Sequence, residues 1–95
     1  MRITEQEKKA IIDAVKNADT NAKVWLFGSR VDESKKGGDI DIGILSSIVD
    51  VMEEIEIRQK IFDIISEQKI DLVVSKDGHE AFFKYAVTKG ILLNG

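Results

Sequence analysis

Asp39-Ile-Asp-Ile-Gly-Ile-Leu45 alternates carboxylates with isoleucines, and few backbone conformations accommodate that pattern. On a helix neighbouring odd positions scatter around the axis. On a strand successive side chains face opposite ways, so Asp39 and Asp41 share one face while Ile40, Ile42 and Ile44 share the other. The isoleucine face needs covering, which calls for helices laid against a sheet. Two carboxylates fixed side by side repel each other, and a divalent cation with its preference for hard oxygen ligands relieves that repulsion.

Upstream, Lys23 to Phe27 reads as another strand, with Trp25 in the core, and runs directly into Gly28-Ser29. A helical turn starting at Ser29 would offer backbone N–H groups to a phosphate. Gly28 lets the backbone come close to that phosphate, and Ser29 donates from both its N–H and its hydroxyl. Arg30, Lys35 and Lys36 add positive charge nearby, the lysines within a polar loop, residues 32–38, closed by glycines. This is not a P-loop, because no Gly-Lys-Ser/Thr follows. It is not a calcium loop either: Lys36 stands where an oxygen ligand belongs and Gly43 where the bidentate glutamate belongs. Metal-seeking carboxylates beside a phosphate cradle point to nucleotide chemistry.

The remaining elements follow from caps and periodicity. Thr4 and Glu7 form a capping box for a helix whose apolar stripe is Ala10, Ile11, Ala14, Val15 and Ala18. Asp50 with Glu53 opens a helix expected to run to about Gln68. Its apolar residues fall in two stripes, Val51, Ile55, Phe62 and Ile65 in one, with Ile57, Ile61 and Ile64 widening it. That breadth fits either a deeply buried helix or one with a partner-binding face. Ile70 to Val74 is a strand interrupted by Asp71, which faces away from Ile70, Leu72 and Val74. Asp77-Gly-His-Glu80 reads as the cap of a third helix ending at Lys89-Gly90, with Gly90 as glycine C-cap. Ile91 to Leu93 either adds a short edge strand or simply packs down. His79, alone at a helix start, faces solvent, and Glu53, Glu54 and Glu56 form an exposed helix face.

Helices thus alternate with strands in one α/β (α+β) domain over residues 1–95, with a small mixed sheet packed against helices. A chain of 95 residues, 43% hydrophobic and 33% charged, has the composition of a globular domain. No apolar run approaches the roughly 20 residues of a membrane span. Residues 1–5 lack the apolar core of a signal peptide, so a cytoplasmic location and no membrane partner are expected. With no cysteine in the chain, disulfides, zinc–thiolate sites and thiol nucleophiles are excluded. The net charge of −3 supplies no basic surplus, which disfavours nucleic acid and favours a small ligand or a protein partner.

Nucleotidyl transfer needs what this chain offers. A hydroxyl attacks the α-phosphate of a nucleoside triphosphate as pyrophosphate departs, and two Mg2+ ions about 3.5–4 Å apart stabilise the attacking and leaving oxygens. Asp39 and Asp41 can bridge such a pair of ions. Asp71, on a neighbouring strand, is the candidate third carboxylate, holding the ion at the acceptor and helping to take its proton.

Gly28-Ser29-Arg30, then Asp39-Ile40-Asp41-Ile42, then Asp71 resemble the signature of the minimal nucleotidyltransferases, the smallest members of the DNA polymerase β superfamily. The likeness extends from the leading helix through Leu26-Phe27-Gly28-Ser29-Arg30 to the closing helix near Phe83 and Tyr85. It departs at Val31 to Lys36, where many relatives carry an arginine and a glycine. The resemblance implies a polymerase β palm-like fold using ATP and two Mg2+ ions. Asp39, Asp41 and Asp71 would be metal ligands and catalytic residues, with Gly28, Ser29 and Arg30 binding the nucleotide. It also implies a helical partner of the HEPN type, in a hetero-oligomer or beside a homo-oligomer. In several such pairs the transferase is an antitoxin that adenylylates a tyrosine of the partner. The alternative is a non-catalytic binding module that neutralises a helical partner by masking it.

Overall fold

The computed structural model describes residues 3–27, 40–65 and 70–94. The expected turn at Ser29, the loop 32–38, Asp39 and the stretch 66–69 lie outside the described residues.

The first helix, α1 (Glu5–Ala18), starts where its capping box places it: the Thr4 hydroxyl accepts from the Glu7 N–H, and the Glu7 carboxylate accepts from the Thr4 N–H. Ala10, Ile11, Ala14 and Val15 form its buried stripe. Strand β1 (Lys23–Phe27) matches the expected bounds, and β2 is described from Ile40 to Leu45. They are followed by α2 (Val51–Ile64), β3 (Ile70–Ser75), α3 (Ala81–Lys89) and β4 (Ile91–Leu92). Among the described residues the strands form one mixed sheet in the order β3-β2-β1-β4. β1 pairs antiparallel with β2 and β4, whereas β2 and β3, joined through α2, are parallel.

Helices α1 and α2 cover one face of the sheet. Val24, Leu26, Ile42, Ile44 and Leu72 meet Ile11, Val15, Ile57 and Ile61 in the main core. This is the face assigned to Ile42 and Ile44 by strand alternation, and burying such side chains contributes about 1.5–3 kcal/mol each. On the other face sits α3, with Phe83 edge-on to Trp25 at a centroid distance of 5.7 Å. Gly43 makes that packing fit, since a Cβ there would meet the Phe83 ring at 3.3 Å.

Three expectations are corrected. α2 stops at Ile64 rather than near Gln68, because Ile65 leaves helical geometry (φ −115°, ψ 62°) while its N–H still reaches the Ile61 carbonyl and its side chain joins the core. The fold also splits both of the apolar stripes expected on α2. Ile57, Ile61 and Ile65 are buried, but Val51, Met52, Ile55, Phe62 and Ile64 are exposed, so the helix is not buried all round. Finally, Asp77 does not cap α3. Its carboxylate accepts from the His79 N–H, which with burial opposing holds its pKa below the ordinary value, and Glu80 occupies the N-cap position without a side-chain cap bond. Gly90 does end α3, with an extended φ of −90°. Its smallness matters through contact: a Cβ would lie 2.7 Å from the Leu26 carbonyl oxygen and 2.8 Å from that of Ala86.

One buried polar contact fastens the end of α1 to the end of β2. Ser46 Oγ donates to Asp19 Oδ2 at 2.6 Å, and Ser46 Oγ accepts from the Val49 N–H. The other carboxylate oxygen of Asp19 accepts from the Asn21 N–H. Replacing Ser46 by alanine strands a largely buried carboxylate, and urea melts should register a loss of about 1–3 kcal/mol. A loss below about 0.5 kcal/mol would show that solvent replaces the hydroxyl freely.

Candidate active site

The site is assembled by register. Phe27 of β1 pairs with Asp41 of β2, and Asp41 pairs with Asp71 of β3. Residues paired laterally across a sheet point to the same face, so Phe27, Asp41 and Asp71 form one row on the face away from α1 and α2. The next row on that face is Trp25, Gly43 and Val73. Parallel pairing places the carboxylates of neighbouring strands level, although they lie far apart in sequence. Both aspartates are half-buried. Helix α3 packs over β1 and β2, leaving the β3 end of the face less covered.

The turn into α3 is fixed from below. Ser75, fully buried, accepts from the Gly78 N–H at 2.7 Å and donates to Glu80 Oε1 at 2.9 Å. Gly78 has a positive φ of 76°, which disfavours any side chain there. This turn sets where Phe82 and Phe83 meet the sheet. Phe82 lies edge-on to Phe27 at 6.3 Å, so an aromatic pair flanks the carboxylate row. The sequence reading missed that flank. A signal existed: adjacent helical residues are about 100° apart, so Phe82 and Phe83 cannot both enter the core.

Of the expected site residues, Asp41 and Asp71 are brought together, while Gly28, Ser29, Arg30 and Asp39 lie outside the described residues. Among the described residues no group of three or more His, Cys, Asp and Glu side chains is gathered for a metal. The two adjacent carboxylates nonetheless fit Mg2+, which takes hard oxygen ligands and often only one or two of them from protein. His79 is remote from this chemistry, being exposed and 3.5 Å from Asp77.

The architecture is thus a mixed sheet with helices on both faces and level aspartates on adjacent strands, an arrangement that suits a nucleotidyltransferase. The family model described as Polymerase beta, Nucleotidyltransferase matches residues 9–95, and the chain belongs to that family. Solved structures agree on the fold. A structure of toxin–antitoxin with AMP-PNP is 25% identical with a TM-score of 0.75, over 93% of this chain and 73% of that one. A complex of tri-AMPylated Shewanella oneidensis HEPN toxin with MNT antitoxin is 24% identical with a TM-score of 0.73, over 98% of this chain and 73% of that one. The toxin–antitoxin MntA–HepT is 23% identical with a TM-score of 0.72, over 97% and 73%. No curated protein sequence matches the chain. Among the described residues, no helix is long and apolar enough to cross a membrane.

Proposed function

We propose that this chain is a Mg2+-dependent nucleotidyltransferase that moves AMP from ATP to an acceptor hydroxyl. The acceptor is a tyrosine on a HEPN-type toxin, which makes the chain a cytoplasmic antitoxin acting through one domain, residues 1–95. The observation that carries the chemistry is the level pairing of Asp41 and Asp71 on one sheet face within a nucleotidyltransferase family. The complexes formed by the solved neighbours, one with an AMPylated toxin and one with AMP-PNP, support the partner and the nucleotide.

In this reading Gly28, Ser29 and Arg30 hold the triphosphate. Asp39, Asp41 and Asp71 hold Mg2+, which when bound neutralises charge on the attacking and leaving oxygens. Asp71 orients the acceptor hydroxyl and takes its proton. The acceptor oxygen then bonds to the α-phosphorus, the bond from that phosphorus to the bridging oxygen of the β-phosphate breaks, and pyrophosphate leaves. With α-labelled ATP, Mg2+ and the partner encoded beside this chain, label is expected on the partner and is lost on chelation. Failure of the wild-type pair to transfer label would remove this reading.

A second reading has its own observation. Val51, Ile55 and Phe62 are exposed on one side of α2, with Arg58 between the last two, and Val51 is 71% exposed. Such a face suits packing against a helical partner. Neutralisation by masking alone would then survive loss of the carboxylates, which neutralisation by AMP transfer would not.

A further inference from the structure

We infer that Phe82 stacks on the purine ring of the bound nucleotide; this rests on the nucleotidyltransferase reading and names the base contact within that site. Phe82 is 59% exposed, although its neighbour Phe83 is fully buried and already anchors α3 to the sheet. The Phe82 ring therefore adds little to the core. Its position is held from one side by the edge-on contact with Phe27, a ring which itself approaches Gly43 on the same sheet face.

Location argues for a ligand. Phe27 is the lateral neighbour of Asp41, so the aromatic pair begins one strand away from the proposed phosphate-reacting carboxylates. A nucleotide anchored by its α-phosphate at Asp41 and Asp71 extends its ribose and base away from them, and the described apolar wall bordering that row is Phe82 with Phe27. Among the described residues the Phe82 ring has one T-shaped ring neighbour and is 59% exposed, which leaves ring surface on which a planar base can stack. Stacking of this kind tolerates any base but favours the larger purines. The ring would thus set affinity for the nucleoside part of ATP without touching the triphosphate.

The test compares AMP-PNP with inorganic tripolyphosphate, both titrated with Mg2+ into the full chain. Phe82→Ala is expected to weaken AMP-PNP binding roughly 5- to 100-fold. Tripolyphosphate binding stays unchanged, and Phe82→Trp restores AMP-PNP affinity. Because Phe82 is exposed, the melting temperature of both variants should stay close to wild type, which separates a lost contact from a lost fold. Unchanged AMP-PNP affinity in Phe82→Ala, or an equal loss for tripolyphosphate, overturns the base contact and leaves the transferase reading standing. A wild-type chain that binds neither probe overturns both.

Discussion

Asp71→Asn is expected to lower AMP transfer by about 10²–10³-fold, the range typical of removing one electrostatic element aimed at a reacting centre. Asn keeps the size and shape of the side chain and removes only its charge and its ability to accept a proton. The lateral partner Asp41 gives the same loss as Asn, because the two occupy one row of one face. The Asp71 variant should keep its melting temperature within about 4 °C of wild type, since a half-exposed isosteric change seldom costs more than about 0.5 kcal/mol. Tripolyphosphate binding with Mg2+ separates the roles. Asp41→Asn weakens it, whereas a residue that takes the acceptor proton affects turnover more than binding. Transfer retained within about ten-fold in either variant would exclude that aspartate from the reacting centre.

Phe83→Ala is the substitution expected to cost most in stability. The ring is 2% exposed, lies edge-on to Trp25 and fills the space left by Gly43. Removing a buried phenyl group costs about 3–5 kcal/mol, much of the roughly 5–15 kcal/mol that holds a domain together. For a chain of this size that lowers the melting temperature by about 12 °C or more. The effect on the site is indirect: without Phe83, α3 keeps the Phe82–Phe27 contact, buried Ala86 and the Ser75 turn to hold it on the carboxylate face. A drop under about 4 °C would mean that the space collapses, with Trp25 or Phe27 taking the vacated position.

Local signals were legible in the sequence because their causes are local. The Thr4–Glu7 and Asp50–Glu53 boxes were readable from side chains that bond across one turn, and both formed. Strand alternation put Ile42 and Ile44 on one face and Asp41 on the other, as observed. What failed was any choice that another element decides. α2 has isoleucines on more than one side, so periodicity alone could not say that Ile57 and Ile61 would meet the sheet while Ile55 stayed in solvent. Asp77 looked like a cap, but it is one turn too early and its carboxylate closes on the His79 N–H instead. The level pairing of Asp41 with Asp71 depends on how β3 slides against β2, which no spacing encodes. Neither could the sequence have predicted that Asp19 would meet Ser46, a contact made by two loops that converge only in the folded chain.

The outer edge of β1 is finished from the far end of the described chain. Leu93 donates to the Val24 carbonyl, and the Asn94 side chain accepts from the Val24 N–H and donates to the Ala22 carbonyl, across 70 and 72 residues. Contacts that distant form late, because the loop they close must lose its freedom first. During synthesis, therefore, Asp41 and Asp71 leave the ribosome well before the residues that complete the sheet around them. A nascent chain halted at Gly90 carries every proposed catalytic carboxylate yet exposes the open backbone edge of Val24 to Leu26. Until residues 91–94 follow, that unpaired edge is a place where another strand could pair wrongly.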